Sequence, residues 1–126
     1  MAGLGAAKPI AVVCTSDGAR ATHFYRDTLG LTLTSENSLA TVFDVGGTSL
    51  HVSTVADFTP HEHTILGFKV FDVPAAVLGL RERGVVFNIL PGFGQDPLGI
   101  LTVPGMATRV AWFKDPDGNV LSLTDA

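Results

Sequence analysis

Between Pro9 and Thr124 the chain spells one supersecondary unit twice, and such a duplication limits the available folds more than any single motif. In the first copy, "KPIAVVCTSD" is apolar and β-branched as far as Thr15, which predicts a strand. Asp17 follows as an N-cap, its carboxylate placed to accept a free N–H of a first helical turn. Ala21, Phe24, Tyr25 and Leu29 fall at helical spacing, and Gly30 ends the helix. "LTLTSE" and "LATVFDV" read as strands around a polar turn at Asn37 and Ser38. Gly46-Gly47 then predicts a hairpin into another strand.

The second copy follows the same course. "TILGFKVFD" is a strand ending at Asp72, and "VPAAVLGLRERG" is a helix with Pro74 in its first turn and Gly84 as its stop. "VVFNIL" is predicted as a strand, followed by a loop carrying one short strand, "GILTV". "TRVAWFKD" and "GNVLSLT" are strands joined at Pro116-Asp117-Gly118. The order is β-α-β-β-β, twice, with modules at about 9–54 and 64–124 of a single domain spanning 1–126. Their registers agree: Ile10 lies seven before Asp17 and Ile65 seven before Asp72, while His51 lies four after Gly47 and Ser122 four after Gly118. The expected class is α+β, two tandem modules forming a cupped mixed sheet around a shared cleft, each with one face under its own helix.

Composition narrows the function classes. Hydrophobic residues make up 46% of the 126 positions and charged residues 16%, which favours a packed core over disorder. The net charge is -4 and no basic stripe is present, so no nucleic-acid surface is expected. No apolar run approaches the roughly 20 residues of a membrane-crossing helix, so no membrane partner is expected. Cys14 is the sole cysteine and cannot form an intramolecular disulfide, which fits a cytoplasmic setting.

"FYRDTLGL" after the first strand and "WFKDPDGNVLSL" near the end, set in the doubled order, resemble the vicinal oxygen chelate superfamily. That group includes glyoxalase I, extradiol dioxygenases, fosfomycin-resistance enzymes and bleomycin-resistance proteins. The resemblance covers about Pro9 to Thr124 and implies a homodimer. It also implies a divalent metal held by His, Gln or Glu at four symmetric places, which here are Ile10, His51, Ile65 and Ser122. Isoleucine has no donor atom, and a neutral hydroxyl is a poor ligand beside a carboxylate. One imidazole does not make a three- or four-donor cage. No metal and no cofactor are therefore expected, and metal-dependent glyoxalase or dioxygenase chemistry is disfavoured.

Strand parity places Val12 and Cys14 on the cleft side with Ile10, and Ser49, Gly67 and Val120 by the same rule. Leu50, Val52, Leu121, Leu123, Ala111 and Phe113 face the helices, and Val110 and Trp112 the cleft. The expected ligand-binding set is thus Ile10, Val12, Cys14, His51, Ile65, Gly67, Trp112 and Ser122. An apolar or aromatic small molecule with a few polar anchors fits such a lining. The alternative is an enzyme of lyase, isomerase or dioxygenase type using His51 as acid or base, or a non-standard metal site. Each residue also has a plainer reading: His51 as a half-buried histidine bonded to a neighbour, Cys14 as a small hydrophobe, Trp112 as core, Ser122 as filler. His61 and His63 share strand parity, so a shifted metal site with His51 stands beside an exposed-loop reading. "LPGFGQDPLGILTVPG" reads as a lid.

The segment Asp115-Pro-Asp-Gly-Asn119 has oxygens at spacing two, as a calcium loop does. Such a loop needs glycine sixth and a bidentate acid twelfth, whereas Gly118 is fourth. A hairpin turn aiming residue 122 at the cleft is the expectation.

Overall fold

A computed structural model describes residues 3–125. The chain divides into two compact units, Met1–Phe58 and Thr59–Ala126. Each contains a four-stranded mixed sheet and helical structure, which makes the class α+β.

The first unit runs β1 (Ile10–Thr15), α1 (Gly18–His23), β2 (Thr32–Glu36), β3 (Ala40–Val45) and β4 (Thr48–Thr54). Asp17 caps α1 as its sequence position predicts, its Oδ1 accepting the Arg20 N–H at 3.1 Å. Beyond His23 the helix widens into a π-wound stretch, Phe24–Thr28, in which the Leu29 N–H reaches back to the Phe24 carbonyl at 2.9 Å. That turn buries Tyr25 completely, edge-on to Phe24 at 5.3 Å and beside Phe43 at 6.1 Å. Gly46 and Gly47 both have positive φ, 56° and 90°, as a two-residue hairpin between β3 and β4 demands. The sheet order is β1-β4-β3-β2. β1 lies parallel to β4, which a helix-containing crossover permits and a short turn does not.

Helix α1 packs on β3 and β4. Val13, Phe43, Leu50 and Val52 are buried, whereas Ile10 and Val12 are 54% and 56% exposed. The period of two therefore separates a core face from a second face along β1.

The second unit runs β5 (Thr64–Lys69), α2 (Val73–Glu82), β6 (Leu101–Thr102), β7 (Arg109–Lys114) and β8 (Val120–Thr124). Its order, β5-β8-β7-β6, repeats the first position by position. Asp72 caps α2 through the Ala75 N–H at 3.0 Å, and Gly84, at φ 93°, ends it. Val73, Val77, Ala111, Phe113, Leu121 and Leu123 form the core, with Phe87 packed on Phe113 at 5.3 Å between ring centroids.

Two elements differ from expectation. "VVFNIL" is not a strand: only Phe87 bridges β7, opposite Phe113, while the Asn88 N–H donates to the Trp112 carbonyl at 2.8 Å. The "GILTV" strand contracts to Leu101–Thr102, which pairs with Val110 and Arg109 on that same edge of β7. One edge strand has thus been opened by an excursion through residues 89–100. Gly92, Gly94 and Gly99 adopt positive φ there, which a ladder does not tolerate. Side chains hold the excursion together. The Gln95 amide accepts from the Leu90 N–H at 2.6 Å and donates to the carbonyls of Asn88 and Gly99 at 2.9 and 2.7 Å. Asp96 Oδ1 accepts from the N–H groups of Leu98 and Ile100, both at 2.9 Å. The segment read as a lid contains a loop braced by Gln95 and Asp96.

Candidate functional site

In the first unit, the second face gathers Ile10, Val12, Cys14 and His51. Val12 lies beside His51 in the parallel pair, and Val42 lies on the other side of His51. The neighbouring rows are Cys14-Ser53-Ala40 and Ile10-Ser49-Asp44. His51 is half-buried between two valines, and no hydrogen bond to its imidazole is formed within the described residues. Val42 and Ser53 extend this face beyond the set expected from sequence; parity counted along β3 would have found Val42.

In the second unit, Gly67, Ser122 and Trp112 form one row across β5, β8 and β7. Trp112 pairs with Ser122, so the indole shares the serine's face, as parity predicts. Gly67 pairs with Ser122 from the other side, and a Cβ added at Gly67 would stand 3.0 Å from Ser122 Oγ. Ser122 is 8% exposed, yet the backbone at Gly67 is exposed. Ser122 Oγ takes up the space that a side chain at Gly67 would need, and the half-buried indole of Trp112 lies on its other side.

Ile65 falls outside this row. The β5-β8 register shifts between Thr64 and Leu66, so Ile65 is an extra residue with no partner in β8. The strict equivalence of Ile65 to Ile10, counted from the caps, holds in sequence and is broken in the ladder.

The turn that delivers Ser122 is built on Asp115. One carboxylate oxygen accepts the N–H groups of Asp117 and Asn119, each at 2.9 Å, and the other accepts the Asn119 side-chain amide at 2.8 Å. Gly118 takes φ 90°, and its N–H donates to the Asp115 carbonyl at 3.0 Å. Asp115 and Asn119 are buried, 6% and 1% exposed. Both carboxylate oxygens of Asp115 are engaged by donors of the chain, so the motif is a structural turn, not a cation loop.

The family's metal does not fit these residues. Val12, the cross-strand neighbour of His51, has no donor, and Gly67, the neighbour of Ser122, has no side chain. Neither unit brings two metal-binding side chains together at the carried-over places. Among the described residues there is no cluster of three or more His, Cys, Asp or Glu side chains suited to a metal ion. His61 and His63, the histidines of the shifted-site reading, are exposed and stack on each other at 5.1 Å with 26° between their planes. His23 is engaged elsewhere, its Nδ1 2.8 Å from Asp27 Oδ2.

No described helix is long and apolar enough to cross a membrane. The fold is shared with solved structures of low sequence identity. A glyoxalase family protein from Enterococcus faecalis is 18% identical, with 97% of this chain and 99% of that one aligned at a TM-score of 0.75. A glyoxalase/bleomycin resistance protein/dioxygenase from Alicyclobacillus acidocaldarius is 16% identical over 94% and 90% of the two chains, at a TM-score of 0.71. A protein named Oxidase ChaP-H2 is 24% identical over 97% and 94%, also at 0.71. No curated protein matches the chain. Residues 9–123 match the family described as the Glyoxalase/Bleomycin resistance protein/Dioxygenase superfamily, and the chain, with its doubled β-α-β-β-β order, belongs to that superfamily.

Proposed function

We propose that the protein binds a small apolar or aromatic molecule without the help of a metal. The observation that carries this reading is the row Gly67-Ser122-Trp112. It offers an aromatic plane, one hydroxyl and, at Gly67, exposed backbone with no side chain over it. An indole contributes a large apolar contact area and a single N–H donor, while a serine orients a polar substituent. Val12 and His51 supply similar chemistry on the first sheet, a β-branched surface beside an imidazole. Trp112 is the sole tryptophan, so its fluorescence reports directly on the row. Quenching or a blue shift by an aromatic ligand, lost in Ser122→Leu while the fold is retained, is the expected result. An unchanged spectrum across a broad set of aromatic and aliphatic compounds would sink the reading.

A second reading is supported by His51. Its imidazole is not committed to an internal hydrogen bond, so both nitrogens remain available to take or give a proton. In that case the protein is an enzyme of lyase or isomerase type with His51 as acid or base. A turnover rate equal in wild type and His51→Ala, on a substrate found by screening, removes His51 from the chemistry. The name of the oxidase relative adds nothing here, because 24% identity carries the fold alone.

The same reading includes a cytoplasmic homodimer, supported by the family resemblance and the lone thiol Cys14. A sedimentation mass of one chain at micromolar concentration rejects the dimer.

A further inference from the structure

The excursion through residues 89–100 does more than interrupt an edge strand. Together with the end of α2 it forms an open groove of about 340 Å3 within the second unit. Its lining includes Val85, Phe87, Ile89, Pro97, Leu98 and one charged side chain, Arg81. Val85 and Phe87 are buried, 7% and 8% exposed, and belong to the core. Ile89 is 59% exposed on the loop side. The volume lies in the range of small-molecule sites, and the lining has their usual composition, apolar with a single directing polar group.

Arg81 gives the groove its selectivity. Among the described residues no carboxylate lies within ion-pair distance of it, and it makes no side-chain hydrogen bond. Two carbonyls of the last turn of α2 accept from the chain itself. The Gly84 N–H donates to Arg81 O at 3.0 Å and the Val85 N–H to Leu80 O at 3.1 Å. The loop wall is preorganised by the three Gln95 hydrogen bonds, so a ligand need not pay to order it.

The geometry points to a second binding site, in which this groove takes a small monocarboxylate with an aliphatic or aromatic body, its carboxylate on Arg81 and its body over Val85, Phe87, Ile89 and Leu98. A guanidinium presents two parallel N–H groups to a carboxylate, a match that an alcohol or an amine lacks. The walls hold no other charge, so one anionic group is accommodated and a dianion gains nothing.

Octanoate, octan-1-ol and octylammonium provide a matched series for the test. Each is titrated into the full-length protein while backbone amide shifts are followed by NMR. Octanoate is expected to shift the amides of Val85, Phe87, Ile89 and Leu98, and to bind about tenfold more tightly than octan-1-ol, as a charge-assisted pair at an open site allows. Arg81→Gln should erase that difference and leave octan-1-ol binding unchanged. Arg81→Glu should reverse the preference toward octylammonium, which a merely structural arginine would not produce. Equal affinities of the three compounds for the wild type, shifts confined to other residues, or an octanoate affinity unaltered in Arg81→Gln each overturn the assignment. The groove contains no tryptophan, so failure here is separable from failure of the Trp112 reading, which is followed by fluorescence.

Discussion

Gly67 and Ser122 lie side by side on β5 and β8, so close that a Cβ on Gly67 would stand 3.0 Å from Ser122 Oγ. The φ of Gly67 is not in the left-handed region, so what crowds a side chain there is the neighbour and not the backbone. Gly67→Ala is expected to lower stability by about 1–2 kcal/mol through overpacking. Ser122→Gly in the same chain should return most of that loss. Urea unfolding of the two single variants and the double variant measures the coupling. Additive effects would show that the two positions do not compete for the same space.

Asp115, itself buried, holds its turn with three hydrogen bonds from Asp117 and Asn119. Asp115→Ala leaves the buried side-chain amide and backbone N–H of Asn119 and the part-buried N–H of Asp117 without an acceptor, and the expected cost is about 3 kcal/mol. Asp115→Asn keeps one acceptor oxygen and should cost less. Chemical denaturation checks both, and equal losses would mean that the carboxylate acts only by filling space.

Asp125 ties the start of β7 to the chain beyond β8. Its carboxylate accepts the Arg109 backbone N–H at 2.7 Å and Arg109 Nε at 3.0 Å. These contacts, the backbone bond foremost, hold its pKa below the ordinary carboxylate value of 3.8. A depressed folded-state value favours the ionised native form, so the stabilisation is fully present above pH 4–5, roughly one unit above the unfolded-state value, and is lost as pH falls through the folded-state value. Asp125→Asn should therefore be less stable than wild type at pH 7, and the gap should close toward pH 2. Melting temperatures of both proteins across that range provide the check. A gap that stays constant would assign the effect to shape.

Gln95 braces the loop at Asn88, Leu90 and Gly99. Gln95→Ala should raise amide hydrogen exchange at Leu90 while exchange of the core amides of β8 stays near wild type. It should also weaken octanoate binding by loosening the groove wall. Unchanged exchange at Leu90 would show that Asp96 alone is sufficient to hold the loop.

Much of this was legible in the sequence because it depends on short-range geometry. Asp17 and Asp72 cap helices, Gly46-Gly47 turns a hairpin, and alternation sorts Val13 from Val12 and Phe113 from Trp112. Each follows from the chain's own period and the φ values its residues tolerate. That Ile10 and Ile65 carry no donor atom was visible for the same reason, since a donor atom is a property of the residue type.

The rest needed partners far along the chain. "VVFNIL" has strand composition, yet β7 offers its edge both to Phe87 and to Leu101-Thr102, and the Gln95 and Asp96 hydrogen bonds carry the intervening residues away. The bulge at Ile65 arises from pairing with β8, a choice that no residue in β5 announces. Asp115, first read as a turn residue, is the buried acceptor on which the turn depends. Local propensity and period determined which elements exist and which faces they bury. Competition among distant backbone and side-chain hydrogen bonds decided where the edge strand opened, and so placed Arg81 above an apolar groove.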